Sequence, residues 1–468
     1  MHDGTDSDED AGAGRERGAA RDPPGGRTAR ADGVRVKLTI LGGGGFRVPL
    51  VHRALAGDPL ITEVVLYDED PLRLRVVAAV LAGSGAAGPA VRVAGGLDDA
   101  VRGADFVFSA IRVGGTAGRV RDERLPLAEG VLGQETVGAG GVLYGLRTLP
   151  VAVRIAERVR ALAPDAWVIN FTNPAGMVTE AMSRVLGARV IGICDSPVGL
   201  VRRAARAAGA DPDAQDFGYD YVGLNHLGWL RRLTSAGRDL LPGLLADPAA
   251  LGTFEEGRLF GAEWLAALGS LPNEYLHYYY FRRETLAAVQ GARSTRGEFL
   301  DRQQGAFFAA ADRDPARAYE LWQGARRERE ETYGADSRAA SGGWQRDPHD
   351  LDGGGYDRVA LALMRAIARD EPAVLILNVR AGGALPFLDA EAVAEVPCRV
   401  NATGAHPLPV AAPDEHQAGL MLAVKSVERA AIEAAATGSR PAALRALALH
   451  PLVDSPAAAS RILDSAGW

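Results

Sequence analysis

The chain has few cysteines, few lysines and no long apolar runs, and each shortage excludes a class of protein. Among its 468 residues only Cys194 and Cys398 are cysteines, which excludes a disulfide framework and predicts a reducing, cytoplasmic setting. Lys37 and Lys425 are the only lysines, and the net charge is -7, so nucleic acid is not an expected partner. The apolar runs are too short to span a bilayer and the opening residues lack a secretory-signal pattern, so we expect no membrane association.

Changes in composition along the chain predict three regions. Residues 1–33 are rich in Asp, Gly, Arg, Ala and Pro without apolar periodicity, which predicts a disordered tail. In residues 34–210, apolar strand-like runs alternate with helix-like segments, which predicts an α/β domain built on a doubly wound, Rossmann-like parallel sheet. Residues 211–468 open with short extended segments and continue mainly helical, which predicts a C-terminal α+β domain.

A glycine turn follows the first strand-like run. Val36–Leu41 leads directly into Gly42, Gly43 and Gly44, and helix-like sequence begins near Pro49. This order suits a dinucleotide, because glycine lets backbone N–H groups approach a pyrophosphate at a helix N-terminus. Asp68, about 25 residues further on, ends a second strand-like run where a ribose diol would be bound. The G-x-G-x-x-G pattern is incomplete, and two strands closed by ordinary turn residues are the alternative.

A thiol and a carboxylate stand side by side after another strand-like run. Cys194 and Asp195 follow residues 189–193, and ligands bind at the carboxyl ends of strands in open α/β sheets. Pro197 suits the first turn of a helix, with Ser196 as its candidate cap. His226 could meet Cys194, because imidazole and thiolate both bind divalent transition metals. A structural Cys-Asp pair and a buried, hydrogen-bonded histidine are the alternatives.

Two further segments carry polar chemistry. The stretch from Arg112 to Gly141 is polar and glycine-rich, which predicts a long loop that is either functional or simply solvated. On a helix Tyr275, Tyr278 and Tyr279 would share one face, which is a spacing typical of core packing. A tyrosine can act as a base where a metal or an arginine lowers its pKa, and Arg296 follows nearby.

Seven short motifs stand in a fixed order along the chain. They are Gly42-Gly43-Gly44, Arg112-Val113-Gly114-Gly115, Gly133-Gln134-Glu135-Thr136, Asn170-Phe171-Thr172-Asn173-Pro174-Ala175-Gly176, Cys194-Asp195, Asn225-His226-Leu227 and Tyr275-Leu276-His277-Tyr278-Tyr279. In order and spacing they resemble the family 4 glycoside hydrolases. The resemblance runs from about residue 36 to about residue 450 and leaves out only the amino-terminal tail.

The resemblance implies a glycosidase with a lactate/malate dehydrogenase-like fold that uses NAD⁺ and a divalent metal, typically Mn²⁺. In this family NAD⁺ takes a hydride from C3 of the sugar, and a tyrosine removes the acidified C2 proton. The metal stabilises the enediolate, and the aglycone leaves C1 with the help of an acid. Water then adds and NADH returns the hydride. The implied substrate is a phosphorylated disaccharide or other glycoside, and the implied assembly is a homodimer or homotetramer.

The resemblance also implies that residues 211–468 form the substrate, metal and oligomerisation domain, and it implies a role for individual positions. The implied roles are metal binding by Cys194 and His226, general acid catalysis by Asp195, removal of the C2 proton by Tyr275, tuning of that tyrosine by Glu135, and binding of the phosphorylated sugar by Arg119, Asn173 and Arg296. Tyr278 and Tyr279 stay open as alternatives for the base.

Two positions depart from the family pattern. Gly45 stands where serine often follows the glycines, which puts one hydrogen bond to phosphate in doubt. Asp195 after the cysteine is usual in 6-phospho-α-glucosidases, whereas residues 171–180 and Asn225-His226-Leu227 resemble the 6-phospho-β-glucosidase branch. Because residues 171–180 are the longer stretch, the sequence favours β specificity. The alternatives are an α-specific enzyme, a lactate/malate-type 2-hydroxyacid dehydrogenase, and a nucleotide-sensing protein without catalysis.

Overall fold

A sheet of 13 strands runs through the part of the chain that the computed structural model describes, which is residues 36–468 apart from 57, 86 and 347–354. The strands are β1 (Val36–Leu41), β2 (Ile61–Tyr67), β3 (Ala90–Val93), β4 (Phe106–Ser109), β5 (Trp167–Asn170), β6 (Val190–Gly192), β7 (Gly218–Leu224), β8 (Leu227–Ser235), β9 (Arg238–Asp239), β10 (Leu271–Pro272), β11 (Ala373–Arg380), β12 (Val393–Asn401) and β13 (Gly404–Pro407). The predicted tail, residues 1–33, lies outside the described residues.

Helices connect and cover the strands. They are α1 (Val48–Leu55), α2 (Pro71–Gly83), α3 (Leu97–Val101), α4 (Gly115–Ala128), α5 (Gly138–Leu162), α6 (Ala175–Leu186), α7 (Ser196–Ala207), α8 (Leu241–Leu245), α9 (Pro248–Leu251), α10 (Glu255–Phe260), α11 (Ala262–Leu268), α12 (His277–Tyr280), α13 (Arg282–Gly291), α14 (Arg296–Arg313), α15 (Ala318–Glu331), α16 (Ala335–Ala340), α17 (Tyr356–Arg369), α18 (Glu415–Thr437), α19 (Arg440–Ala448) and α20 (Pro456–Ala466). Three short 3₁₀ turns lie at Gly187–Arg189, Glu274–Leu276 and Pro315–Arg317. In the ranges described, no helix has the length and apolar character needed to cross a membrane.

The parallel half of the sheet has the strand order β3-β2-β1-β4-β5-β6. This is the order of a dinucleotide-binding Rossmann sheet, so the predicted doubly wound fold is confirmed. Antiparallel strands β11, β12, β7, β8 and β10 extend the same sheet beyond β6. The predicted domain boundary near residue 210 falls between α7 and β7, and strands from both sides of it share this sheet.

Burial explains why the central strands read as continuous apolar runs. Helices cover both faces of a parallel sheet, so its strands have no polar face. Leu38 and Ile40 of β1 and Val64, Val65 and Leu66 of β2 are all fully buried. Each buried side chain of this size stabilises the fold by about 1.5–3 kcal/mol. One face of the sheet packs with α5, α6 and the C-terminal helices in a shared apolar core.

The prediction of a loop from Arg112 to Gly141 is wrong for residues Gly115–Ala128, which form the helix α4. The helix is polar because it buries ion pairs instead of an apolar stripe. Arg119 donates to Glu123 at 2.7 Å, and Asp122 accepts two hydrogen bonds from Arg147 on α5. Its helical periodicity is therefore invisible in hydrophobicity alone.

Candidate active site

A cavity of about 850 Å³ lies at the carboxyl ends of the parallel strands. It lies beside the neighbouring strands β1 and β4, between which the strand order reverses, and ligands bind at such a point in open α/β sheets. The predicted site residues that line it are Gly42, Gly44, Asp68, Arg119, Glu135, Asn173, Cys194, Asp195, His226, Tyr275 and Arg296. Gly43 is the one predicted site residue that is not among the lining residues.

The glycine turn after β1 has no room for side chains. Gly42 adopts φ +82°, and a Cβ placed there would lie 2.4 Å from the carbonyl oxygen of Ala110. The Gly44 N–H donates to Asp68 Oδ2 at 3.0 Å, which ties the turn to the end of β2. Gly43 instead packs on β2, where its N–H donates to the Tyr67 carbonyl at 2.8 Å. A turn of this shape before α1 fits the pyrophosphate of a dinucleotide.

Substitution of Gly42 by alanine is expected to lower NAD⁺ affinity and stability together. The added Cβ would displace the turn from the shape that holds the cofactor, and if the overpacking cost of about 1–3 kcal/mol falls on binding, NAD⁺ affinity by calorimetry should weaken roughly 5- to 150-fold. Gly243→Ala is the matched control, since Gly243 is exposed and a Cβ there meets no atom within 4 Å. An unchanged dissociation constant in Gly42→Ala would show that the turn does not hold the cofactor.

Cys194 and Asp195 lie where β6 gives way to α7. The helix starts at Ser196 with Pro197 in its first turn, as predicted. Ser196 is not the cap, because it lies inside the helix and its hydroxyl donates to Glu274 Oε1 at 2.6 Å. The Cys194 thiol is buried and free of disulfide. Burial and the nearby carboxylates of Glu395 and Asp195 raise the pKa of Cys194 well above its usual range.

His226 lies in the tight turn between β7 and β8. Its φ of +61° is in the left-handed region, which costs a non-glycine residue on the order of 1–3 kcal/mol and is typical of functional sites. The ring stacks on Tyr275 with centroids 3.6 Å apart and planes 7° apart. Burial lowers the pKa of His226 to about 3, so the imidazole is neutral. A neutral imidazole is the form that binds metals.

Cys194 and His226 fit a catalytic metal with open positions. Both line the cavity, one with a thiol and the other with a neutral imidazole. No group of three or more His, Cys, Asp and Glu side chains forms a metal cluster within the described ranges. Thiol and imidazole are both side-chain types that bind divalent transition metals, so the chemistry of this pair fits such an ion.

The tyrosine segment is not one continuous α-helix. A 3₁₀ turn at Glu274–Leu276 precedes α12, which begins at His277. Tyr275 and Tyr278 both line the cavity. Tyr279 lies outside the cavity lining and stacks on His450 at 6.0 Å, yet all three rings pack against the same apolar cluster around Leu132 and Val289, so the predicted core packing is confirmed. Burial raises the pKa of Tyr275 well above its usual range, and its hydroxyl lies 3.0 Å from the Tyr333 hydroxyl.

Glu135 pairs with arginines. Its two carboxylate oxygens accept hydrogen bonds from Arg112 and Arg119. Burial alone would raise the pKa of Glu135, but the two guanidinium charges hold it well below its usual range. Among the described residues the hydrogen-bond partner of the Tyr275 hydroxyl is Tyr333. No hydrogen bond joins Glu135 to the Tyr275 hydroxyl among the described residues, and the tuning role of Glu135 stays a prediction.

Positive charge collects at one side of the cavity. Arg296 donates to Thr332 Oγ1 at 2.7 Å and to the Arg329 carbonyl at 2.9 Å. Burial and the neighbouring Arg119 lower the pKa of Arg296 to about 10. Burial, followed by the charges of Arg47 and Arg296, lowers the pKa of Arg329. Guanidinium groups that repel one another in a cavity fit a bound anion.

Asn173 contributes an unpartnered polar atom to the same cavity. Its Oδ1 is buried and has no hydrogen-bond partner among the described residues. A buried carbonyl oxygen left unpaired costs about 1–3 kcal/mol, and a bound hydroxyl would remove that cost. This observation supports the predicted role of Asn173 in binding a sugar.

Residues 37–210 match the model of the family 4 glycosyl hydrolases, and residues 221–453 match the family 4 glycosyl hydrolase C-terminal domain. The chain belongs to the family 4 glycosyl hydrolases. The predicted family and enzyme class are therefore confirmed.

Relatives of this family 4 hydrolase include enzymes of both anomeric specificities. A probable 6-phospho-β-glucosidase from Bacillus subtilis is 35% identical over 376 residues, which cover 78% of each chain. A 6-phospho-α-glucosidase from Lacticaseibacillus paracasei is 30% identical over 382 residues, which cover 78% of this chain and 80% of the relative. The solved 6-phospho-β-glucosidase from Thermotoga maritima, with manganese, NAD⁺ and glucose 6-phosphate, has a TM-score of 0.75 and 26% identity, covering 92% of this chain and 98% of that one.

Sequence reasoning missed several residues that line the active-site cavity of this family 4 hydrolase. They are Arg47, Glu274, Arg329 and Tyr333. The sequence carried one signal for Arg47, which stands at the position where a third glycine would complete the G-x-G-x-x-G pattern. Arg329 and Tyr333 lie in and just after α15, a mainly charged helix that reads as a solvated surface. Only the tertiary fold brings them to Tyr275 and Arg296.

Proposed function

We propose that this family 4 enzyme hydrolyses 6-phospho-β-glucosides with NAD⁺ and a divalent metal, Mn²⁺ first among them. One observation carries the proposal. A single cavity joins the arginine-rich side around Arg296 to the group formed by Cys194, His226 and Tyr275. A phosphate held at the arginines would keep the sugar ring within the same cavity as the thiol, imidazole and phenol groups.

The relatives support the substrate class. Bacillus subtilis has a probable 6-phospho-β-glucosidase at 35% identity, against 30% for the α-specific relative from Lacticaseibacillus paracasei. The Thermotoga maritima structure contains manganese, NAD⁺ and glucose 6-phosphate, which matches the ligands proposed for this chain. Asp195 after the cysteine is the observation that favours the second candidate, a 6-phospho-α-glucosidase.

In this proposal each group of the chain has a defined task. The turn at Gly42 and Gly44 holds the dinucleotide, and Asp68 takes the ribose. Bound NAD⁺ and metal supply reversible hydride transfer at C3 and Lewis acidity. Tyr275 would accept the C2 proton once the charge of the bound metal offsets the burial that raises its pKa, and Asp195 would donate a proton to the leaving oxygen at C1.

The substrate is oriented by a separate set of side chains. Arg119, Arg296 and Asn173 bind the phosphorylated sugar, and Arg329 adds positive charge beside them. A charged, bidentate donor suits phosphate better than a neutral one. Cys194 and His226 would hold the metal, and Tyr275 lies next to His226 because its ring stacks on the imidazole.

The anomeric preference is tested with paired 4-nitrophenyl α- and β-glucoside 6-phosphates. We expect faster nitrophenol release from the β anomer in the enzyme loaded with NAD⁺ and Mn²⁺. Faster release from the α anomer would establish the second candidate. Steady net NADH production from a 2-hydroxy acid, without glycoside cleavage, would point to a dehydrogenase, and NAD⁺ binding without any turnover would point to a sensing protein.

Arg296→Met is expected to raise KM for the phosphorylated substrate more than it lowers kcat. A hydrogen bond to a charged group contributes about 1.5–3 kcal/mol, so KM should rise roughly 10- to 100-fold. Steady-state kinetics measure the split. Arg293→Met is the matched control, because Arg293 is exposed and lies outside the cavity lining. Equal KM values for Arg296→Met and wild type would exclude Arg296 from phosphate binding.

Two further proposals concern setting and assembly. Both cysteines are buried free thiols, which supports a reducing, cytoplasmic setting.

We also propose that the enzyme is a homodimer or homotetramer. Light scattering on the purified protein measures the assembly, and a monomer at micromolar concentration would contradict it.

A further inference from the structure

The side chain of Gln134 fixes the loop in front of α5. Its Oε1 lies 2.6 Å from the backbone nitrogen of Thr136 and 2.9 Å from that of Val137. Both nitrogens are N–H donors, so the atom that faces them is the amide oxygen and not the amide nitrogen. The same Oε1 lies 3.2 Å from the hydroxyl of Thr136. An amide oxygen only accepts, so the threonine hydroxyl donates its proton to Gln134.

This direction determines which nitrogen of His226 carries a proton. Thr136 Oγ1 lies 2.9 Å from His226 Nδ1. The hydroxyl has a single proton, so both contacts are hydrogen bonds at the same time only if it donates to Gln134 and accepts from His226, with Nδ1 as the donor. A neutral imidazole has one N–H, and the lone pair is therefore on Nε2. Within the described ranges, the His226 ring makes this hydrogen bond through Nδ1 and stacks on Tyr275.

The ring has little freedom to choose another arrangement. His226 is only 5% exposed, and Tyr275 packs face to face on its imidazole. Its backbone is held in the left-handed region between two paired strands. A histidine that ligates a metal through one nitrogen usually donates from the other to a partner that fixes its tautomer. Thr136 occupies that partner's position.

We propose that Thr136, oriented by Gln134, is a positioning residue that holds His226 in the Nδ1–H tautomer and so presents Nε2 to the metal. The inference rests on the proposed function, which makes His226 a metal ligand. Valine at position 136 would keep the shape of the side chain and remove the acceptor. The imidazole could then place its proton on Nε2 and block the ligating lone pair.

The first test is Mn²⁺ binding to the NAD⁺-loaded enzyme, followed by electron paramagnetic resonance of free Mn²⁺. Loss of such an outer partner typically weakens metal affinity roughly 10- to 100-fold, and we expect this for Thr136→Val. Thr136→Ser keeps the hydroxyl and is expected to restore affinity. Thr253→Val is the control, because Thr253 is exposed and lies away from the cavity. Cys194→Ser removes a proposed metal ligand and shows how far such a loss weakens Mn²⁺ binding in the same assay.

The outcomes separate this inference from the function on which it rests. Normal Mn²⁺ affinity in Thr136→Val, together with weak binding in Cys194→Ser, would overturn the role of Thr136 and leave the metal site intact. Absence of Mn²⁺ binding by the wild type would overturn both.

A second measurement does not depend on a folded Thr136 variant. Nitrogen-15 NMR of metal-free wild-type enzyme with labelled histidine distinguishes the two neutral tautomers, and the His226 signals are those missing from His226→Gln. We expect a protonated Nδ1 and an unprotonated Nε2. A protonated Nε2 in the wild type would overturn the inference.

Discussion

Replacing Cys194 by serine is expected to reduce turnover of the Mn²⁺-supplemented enzyme by at least about 100-fold, because even the hydrogen-bond partners of metal ligands contribute roughly 10- to 100-fold. Serine keeps the size of the side chain but offers a hydroxyl, a poor ligand for a transition metal at neutral pH. The loss should appear in kcat at saturating substrate, and higher Mn²⁺ concentrations should recover part of it.

Cys398→Ser is the matched control for this variant. Cys398 is fully buried in β12 but does not line the cavity, and its thiol contacts the Val396 carbonyl at 3.4 Å. We expect this variant to change thermal stability and to keep the metal dependence of the wild type. Near-normal activity of Cys194→Ser over a full Mn²⁺ titration would show that the metal is bound elsewhere.

Tyr275→Phe is expected to lower kcat by about 10²- to 10⁴-fold, which is the usual contribution of a general base. The hydroxyl is the only group removed, and the ring can still stack on His226. KM should change little, because the phosphate contacts lie with the arginines. Proton removal at C2 should also become more rate-limiting, so a substrate deuterated at C2 should show a larger kinetic isotope effect.

Tyr278→Phe and Tyr279→Phe complete the comparison. Tyr279 lies outside the cavity lining and stacks on His450, so Tyr279→Phe is expected to retain nearly full kcat. Tyr278 lines the cavity, with its ring 6.3 Å from that of Tyr275. A large loss of kcat in Tyr278→Phe with a small loss in Tyr275→Phe would reassign the base to Tyr278.

The fold was predictable because its sequence signals are local. Apolar runs such as Val36–Leu41 become buried parallel strands, and the glycines that follow occupy a turn with no space for a Cβ. The helix α4 was not predictable in this way. Its buried face consists of Arg119, Asp122 and Glu123, whose charges are neutralised by partners, so the hydrophobic pattern carries no signal.

Sequence reasoning predicted only those site residues that lie in short motifs. Cys194, His226 and Tyr275 lie in three segments that are far apart in sequence. The resemblance of their motifs to one family predicted a shared site, and the fold places all three along one cavity. The contacts that refine their chemistry join still other segments. The Tyr333 hydroxyl contacts the Tyr275 hydroxyl, and the Thr136 hydroxyl contacts the His226 imidazole. The two residues of each pair are far apart in sequence, so helix or strand periodicity does not predict these contacts. The domain division near residue 210 stays a prediction, since one sheet crosses it.

The central claim is that NAD⁺ and metal act in each cycle of hydrolysis without net redox change. The most direct measurement uses enzyme stripped of both, with NAD⁺ returned at the same molar concentration as the enzyme and Mn²⁺ in excess. The account predicts many molecules of hydrolysed 4-nitrophenyl β-glucoside 6-phosphate per NAD⁺, no accumulation of NADH, and no activity when either addition is omitted. Hydrolysis that persists in the stripped enzyme, or one NADH formed per product, would contradict it.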